Sequence, residues 1–248
     1  MIEAGGGANS SAIRALPRAV LVDLDDTIVD GGAVVDCWKV ACECCPPDVE
    51  PQVLAELLRL RDWYWSDPVR HRQGRLDLSA ARRHIAGLAL VTIGCDAAGL
   101  ADRMAERYDR CRDERTALFP DAVGVLTWLR ESGCRLALVT NGAAAMQRQK
   151  IARFRLEPLF DVILVEGELG FGKPDERIYQ LALTGLAAAP RHTWMIGDNL
   201  EWDVEQPQKL GLTGIWVDRT GAGVPASSAV RPDLVIRSLA ELREYCGR

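Results

Sequence analysis

Two kinds of hydrophobic pattern divide this chain of 248 residues. One is the short unbroken apolar run: Ala19, Val20, Leu21 and Val22 form the first, and others fall at Leu136 to Val139, Val162 to Val165, Trp194 to Ile196, Gly214 to Val217 and Leu234 to Ile236. Runs this short, bounded by turn-forming residues, predict strands buried on both faces. Between them, residues 123–132, 143–154, 175–186, 203–210 and 238–245 carry apolar positions at helical spacing. Strands alternating with helices predict parallel pairing with helices on both faces of the sheet. Residues 36–117 read differently, as helices alone. Leu54, Leu57, Leu58 and Trp65 share one helical face, and further helices are expected over 78–91 and 97–111, with no strand between them. The chain therefore reads as an α/β protein, a Rossmann-like parallel-sheet core over 12–30 and 118–248, interrupted by an all-helical insert over 31–117. The Gly-, Ala- and Ser-rich opening, residues 1–11, is expected to be mobile.

Polar groups collect where the apolar runs end. Asp23-Leu24-Asp25-Asp26-Thr27 follows the first run, Thr140-Asn141-Gly142 the second, and Gly197-Asp198-Asn199 the fourth, with Asp203 just beyond; Lys173-Pro174-Asp175 lies in the loop after the third. In an open parallel sheet, ligands bind beyond the carboxyl ends of the strands, so these loops should converge. Asp23 and Asp25, two apart in an extended segment, point the same way, and close carboxylates raise each other's pKa unless a cation lies between them. Hard oxygen ligands beside a lysine and a hydroxyl form an inventory for magnesium and phosphate. Asp and Thr are also ordinary turn formers, and Thr140 or Asn141 an ordinary helix cap.

In order, Asp23-Leu24-Asp25-Asp26-Thr27, Thr140, Lys173-Pro174 and Gly197-Asp198 with Asp203 resemble the four motifs of the haloacid-dehalogenase-like (HAD) hydrolase superfamily, specifically its phosphatase branch. The resemblance covers roughly residues 16–30 and 118–246. It implies that the insert is a helical C1-type cap that opens and closes over the core site. It also implies that Asp23 is a nucleophile attacking phosphorus to form an aspartyl phosphate and a ligand of Mg2+, which is also bound by the Asp25 backbone carbonyl and by Asp198. Asp25 would be the general acid and then the general base. Thr140, Asn141 and Gly142 would cradle the phosphoryl oxygens, and Lys173 would neutralise the phosphate and Asp23. Asp203 would join the metal through water or orient it from behind, or else cap the next helix. Asp26 and Thr27 read as support for the turn, and Glu166 and Glu168 as structural or solvated.

Asp25 favours phosphate esters over carbon–halogen bonds, because a halide leaves without an acid. Phosphoryl transfer to a second substrate, as in the phosphomutase branch, keeps the same carboxylates. A non-enzymatic phospho-acceptor or binding module is disfavoured by the intact set of four motifs. The substrate expected is a small phosphate ester, of sugar-phosphate or nucleoside-monophosphate type. Arg59, Arg61, Arg70, Arg72, Arg75, Arg82 and Arg83, with Trp63, Tyr64 and Trp65, are candidates to read the rest of it, or else form a solvated and packed helical surface.

A balance of 30 basic to 35 acidic residues gives no basic excess of the kind that marks a nucleic-acid binder. No apolar run is long enough to cross a bilayer, and the N-terminus lacks a signal-peptide pattern, so a cytoplasmic monomer or homodimer without membrane or nucleic-acid partners is expected. Of the eight cysteines, Cys37, Cys42, Cys44 and Cys45 cluster without the paired spacing of structural zinc, while Cys95, Cys111, Cys134 and Cys246 stand alone. In a reducing compartment none should be disulfide-bonded. His71, His84 and His192 have no partner pattern.

Overall fold

The computed structural model describes residues 15–95 and 97–246; the opening segment expected to be mobile lies outside them. The chain divides into two compact units, one formed by residues up to Asp30 together with Leu118 onward, the other by Gly31–Ala117.

The first unit is built on β1 (Ala19–Val22), whose four residues are all buried. After a tight turn the chain forms β2 (Val29–Asp30) and leaves the unit. In the second unit follow five helices: α1 (Val34–Cys42), α2 (Glu50–Ser66), α3 (Pro68–Leu76), α4 (Leu78–Ile93) and α5 (Leu100–Arg115). The chain returns through β3 (Ala117–Leu118), which pairs with β2 in a small sheet of its own. Then come α6 (Ala122–Glu131), β4 (Arg135–Thr140), α7 (Ala144–Arg153), β5 (Val162–Val165), a single turn α8 (Glu166–Leu169) and α9 (Glu176–Gly185). The series closes with β6 (Thr193–Gly197), a π-helical segment over Leu200–Glu205, α10 (Gln206–Lys209), β7 (Thr213–Val217), β8 (Leu234–Ile236) and α11 (Glu241–Cys246).

The main sheet has six strands in the order β5-β4-β1-β6-β7-β8, all parallel. β1 lies between β4 and β6, with Val22 level with Leu138 and Ile196. Both faces are covered. Val20 and Val22 join Val125, Leu126 and Leu129 of α6 on one face, while Ala19 and Leu21 join Ile178, Tyr179 and Ala182 of α9 on the other. Burial on both sides is why the strands read as continuous apolar runs without alternation.

Two features of the helical unit differ from the sequence reading. Five helices stand where three were expected: α1 and α3 were not separated from the general helical character. α3 buries only Gly74, so no apolar stripe marks it, and it is delimited instead by Pro68 in its first turn and the Asp67 side chain, which accepts from the Arg70 amide. The second is a correction. Cys37 and Cys111, expected as unpaired thiols, form a disulfide, because α1 and α5 pack side by side and bring Cα atoms distant in sequence to 5.5 Å. Burial pushes the remaining Cys42 and Cys45 thiols up to about 12 and about 11. Among the described residues no helix is long and apolar enough to cross a membrane.

The two-face burial of β1 sets a stability expectation. Leu21 is fully buried, so Leu21→Ala should lower the unfolding free energy of the sheet unit by about 2–5 kcal/mol, the cost of lost transfer energy plus a residual cavity. Urea titration followed by tryptophan fluorescence measures this. A loss below about 1 kcal/mol would mean the face is loosely packed.

Candidate active site

The order of the strands decides which residues meet. Asp23, Thr140 and Asp198 each stand at or just past the carboxyl end of one of the three neighbouring strands β1, β4 and β6. The Asp23 amide donates to the Ile196 carbonyl at 2.9 Å, continuing the ladder one residue beyond β1. Lys173 reaches the same place from the loop before α9, and its Nζ donates to Asp23 Oδ1 and to Asp203 Oδ1, each at 2.7 Å. Both ion pairs are buried, with the lysine side chain 2% exposed. Carboxylate oxygens of Asp23, Asp198 and Asp203 lie within 4.8 Å of one another.

Local sequence makes that convergence fit. The C-terminal residue of β6 is Gly197, and a Cβ there would collide with the Asp203 carboxylate. Asn199, not Asp203, caps the segment that follows, accepting from the Glu201 and Trp202 amides at 3.0 Å. Asp203 is thereby left within the π-helical turn, fully buried, with Oδ2 accepting from the Asn199 amide at 3.0 Å. The lysine loop is fixed by Asn141, whose side chain accepts from the Lys173 amide and donates to the Lys173 carbonyl, both at 2.7 Å.

A second group lies beside the first. Asp25 sits on the turn after β1, where Asp26 takes a left-handed φ of 57°. The Asp25 carboxylate accepts from Lys150 Nζ at 2.6 Å and from Gln147 Nε2 at 2.9 Å. Gln147 Nε2 also lies 2.6 Å from Thr140 Oγ1. The turn is held from outside by Arg219, which donates to the Thr27 carbonyl at 2.7 Å.

Among the residues predicted from sequence, Asp23, Asp198, Asp203 and Lys173 form one cluster, and Asp25 and Thr140 form another joined through Gln147. The Asn141 side chain serves the lysine loop. The Gly142 amide donates to the buried Glu166 carboxylate at 3.0 Å, so Glu166 has a structural role and this N–H is already engaged. Gln147 and Lys150 were missed. Their only signal is their place, on the helix that opens after Thr140, three residues apart and so on one face.

The electrostatics of the first cluster are unbalanced: two buried carboxylates, Asp23 and Asp203, and the half-buried Asp198 share one ammonium. Burial pushes the Asp23 carboxyl up to about 7 against the opposing pull of Lys173. Burial, then the neighbouring Asp23 and Asp203 charges, pushes Asp198 up to about 8. The two carboxylates drive the Lys173 ammonium far above its ordinary value despite burial. All-oxygen donors with an excess of negative charge suit a hard divalent cation, and none of the three is Cys or His.

The helical unit holds a feature of its own. A cavity of about 380 Å³ is lined by Trp38, Arg61, Trp65, Arg82 and Tyr108, among others. Of the arginines singled out in the sequence, Arg61 and Arg82 line it, Arg61 donating to Asp62, which lines it too, at 2.6 and 2.9 Å. Arg59, Arg70 and Arg83 pair with Glu56, Asp67 and Asp102 of the same unit. Arg82 is held by Asp109 and lies over the Tyr108 ring, 4.7 Å from its centroid.

Comparison with known proteins identifies the family. The model of a family described as haloacid dehalogenase-like hydrolase matches residues 17–211. A phosphoserine phosphatase of Thermus thermophilus is 38% identical over 57% of this chain, an alignment that spans only 56% of the relative's own length. An N-acylneuraminate-9-phosphatase of Rattus norvegicus is 27% identical over 91% of this chain and 92% of its own. The solved structure of the HAD hydrolase YfnB from Bacillus subtilis, bound to magnesium, shares the fold with a TM-score of 0.70 at 24% identity, covering 94% of this chain and 100% of its own.

The raised carboxyls give a pH expectation. The folded protein holds protons on Asp23 and Asp198 that the unfolded chain sheds near its ordinary value of 3.8, so the stability these groups allow is full below that pH and is lost as pH rises through about 7 to 8. A bound divalent cation removes this loss. The gain in Tm on adding magnesium should therefore grow between about pH 5 and pH 8. A gain independent of pH, measured by differential scanning fluorimetry, would place the cation elsewhere.

Proposed function

The chain belongs to the haloacid dehalogenase-like hydrolase family, and from that premise we propose that it is a magnesium-dependent phosphatase of small phosphorylated metabolites, working through an aspartyl phosphate at Asp23. The observation that carries this reading is the cluster of buried Asp23, Asp203 and Lys173 with half-buried Asp198, and the second carboxyl, Asp25, beside it. Phosphatase names among the relatives support the reaction class.

In the first step an Asp23 oxygen attacks phosphorus, the ester P–O bond breaks, and Asp25 gives its proton to the leaving oxygen. In the second, Asp25 takes a proton from water, the water oxygen attacks phosphorus, and the bond to Asp23 breaks, releasing inorganic phosphate and restoring both carboxyls. Lys173 offsets charge on Asp23 and on the phosphoryl group. Thr140 and the amide of Asn141 hold phosphoryl oxygens. Asp23, Asp198 and the Asp25 carbonyl would hold Mg2+, with Asp203 supporting it; the ion would supply positive charge against the developing charge on the transferring group. Carbon–halogen cleavage is the second chemistry of such a nucleophile, but a halide needs no acid, so Asp25 favours phosphate esters.

The core groups touch only what all phosphate esters share, so discrimination must come from elsewhere. We assign it to the helical unit acting as a cap, and within it to the cavity carrying Arg61 and Arg82, which suits a leaving group that bears an anionic substituent on a ring or apolar body.

Two outcomes are expected. Asp23→Asn should abolish phosphate release from a panel of phosphorylated metabolites, and chelation should do the same until magnesium is restored; full turnover in either condition would refute the reading. Arg61→Gln should reorder the ranking of metabolites while leaving hydrolysis of acetyl phosphate within about twofold. An unchanged ranking would remove the cavity from substrate choice.

A further inference from the structure

We propose that Lys150 and Gln147, from one face of α7, are positioning residues that hold Asp25 where it delivers its proton and splint it to Thr140, which grips the phosphoryl group. The inference rests on the reading of Asp25 as the general acid and adds to it the residues that fix that acid in place.

The contacts determine the arrangement closely. Lys150 carries only donors, so the Gln147 atom 2.9 Å from its Nζ must be the amide oxygen. That choice turns the Gln147 NH2 toward three acceptors: Asp25 Oδ2 at 2.9 Å, Thr140 Oγ1 at 2.6 Å and the Asn141 carbonyl at 2.8 Å. The ionised Asp25 carboxylate and the Asn141 carbonyl accept only, so in that state the amide orientation is fixed by its surroundings. Thr140 accepts from Gln147 and turns its own proton to the Asn141 carbonyl at 3.3 Å, a long contact that a phosphoryl oxygen would replace. On Asp25, Lys150 takes Oδ1 and Gln147 takes Oδ2, so the carboxyl is gripped at both oxygens and its plane is set.

Stability alone explains little of this. The Lys150–Asp25 pair is partly exposed, at 22% and 38%, and ion pairs of that exposure contribute little to folding. Gln147 is 3% exposed, and a Leu or Met on the same helix face would fill the space without a polar group to satisfy. What the polar network supplies is a rigid link between the group that holds the phosphate and the group that serves the leaving oxygen, two elements separated by more than a hundred residues. Orientation of that kind is worth orders of magnitude in rate.

The test is a leaving-group series, from alkyl phosphates to nitrophenyl phosphate, on wild type, Lys150→Met, Lys150→Arg, Asp25→Asn and the double variant Asp25→Asn/Lys150→Met, each with its Tm recorded. Lys150→Met should lower kcat about 10- to 100-fold for alkyl esters with KM little changed, and only a few-fold for the nitrophenyl ester, which leaves without a proton. Lys150→Arg should recover most of the loss. The double variant should be no slower than Asp25→Asn alone, because both act through one group. Gln147→Leu should show the same leaving-group bias. Equal losses across the series for Lys150→Met, or losses that add to those of Asp25→Asn, would overturn the proposal while leaving Asp25 as the acid. Equal losses for Asp25→Asn itself would remove the acid assignment, and the positioning role with it.

Discussion

One buried ammonium, Lys173 Nζ, shared between Asp23 and Asp203 at 2.7 Å each, is the contact on which the arrangement of this site depends. Taking such ions out of water costs several kcal/mol each, and that cost is recovered only where geometry is good and remaining atoms are bonded. The surrounding sequence meets that condition. Asn141 clamps the lysine backbone with reciprocal bonds. Gly172 lets the loop pass against Glu166, where a Cβ would come within 2.8 Å of the glutamate chain. Gly197 leaves room for the Asp203 carboxylate. Removing the ammonium alone would strand two buried carboxylates, a change of the size of about 3–5 kcal/mol.

The same contact bears on the chemistry proposed for the site as well as on its stability. Burial first, and then the neighbouring carboxylates that one ammonium cannot balance, raise the Asp23 and Asp198 carboxyls. Under the proposed function this deficit would be met by a divalent cation, and the cation and Lys173 would share the charge of the phosphoryl group. Asp25 lies outside this cluster, on a partly exposed turn with its own partners. The two carboxyls of the first motif, two residues apart, therefore occupy different electrostatic surroundings, which suits one to attack and the other to exchange protons with a leaving group and water.

Much of this was legible in the sequence because it is local. Each strand is a short apolar run ending in polar residues, and Asp23, Thr140 and Asp198 are where such runs stop, so the alternation predicted both the parallel sheet and the place where these residues meet. What was not legible depends on distance or on the lack of an apolar stripe. Gln147 and Lys150 are unremarkable helix residues until the fold places them against Asp25, 122 and 125 positions earlier. Cys37 and Cys111, 74 apart, meet only once α1 and α5 pack. α3 is too polar to declare itself, and the π-helical turn that buries Asp203 has no signature beyond the Asn199 cap. The Gly142 amide, which reads as part of a phosphate cradle, is engaged by a glutamate that sequence alone left as structural or solvated.

The claim that ties these observations together is that Asp23 itself takes the phosphoryl group. Acid quench of a single turnover with a phosphate ester labelled on phosphorus, followed by peptide mapping, measures this directly. The account predicts label on the peptide carrying Asp23, released by hydroxylamine as an acyl phosphate would be, and none in Asp23→Asn. Turnover with no label on Asp23, or with label on another residue, would contradict it.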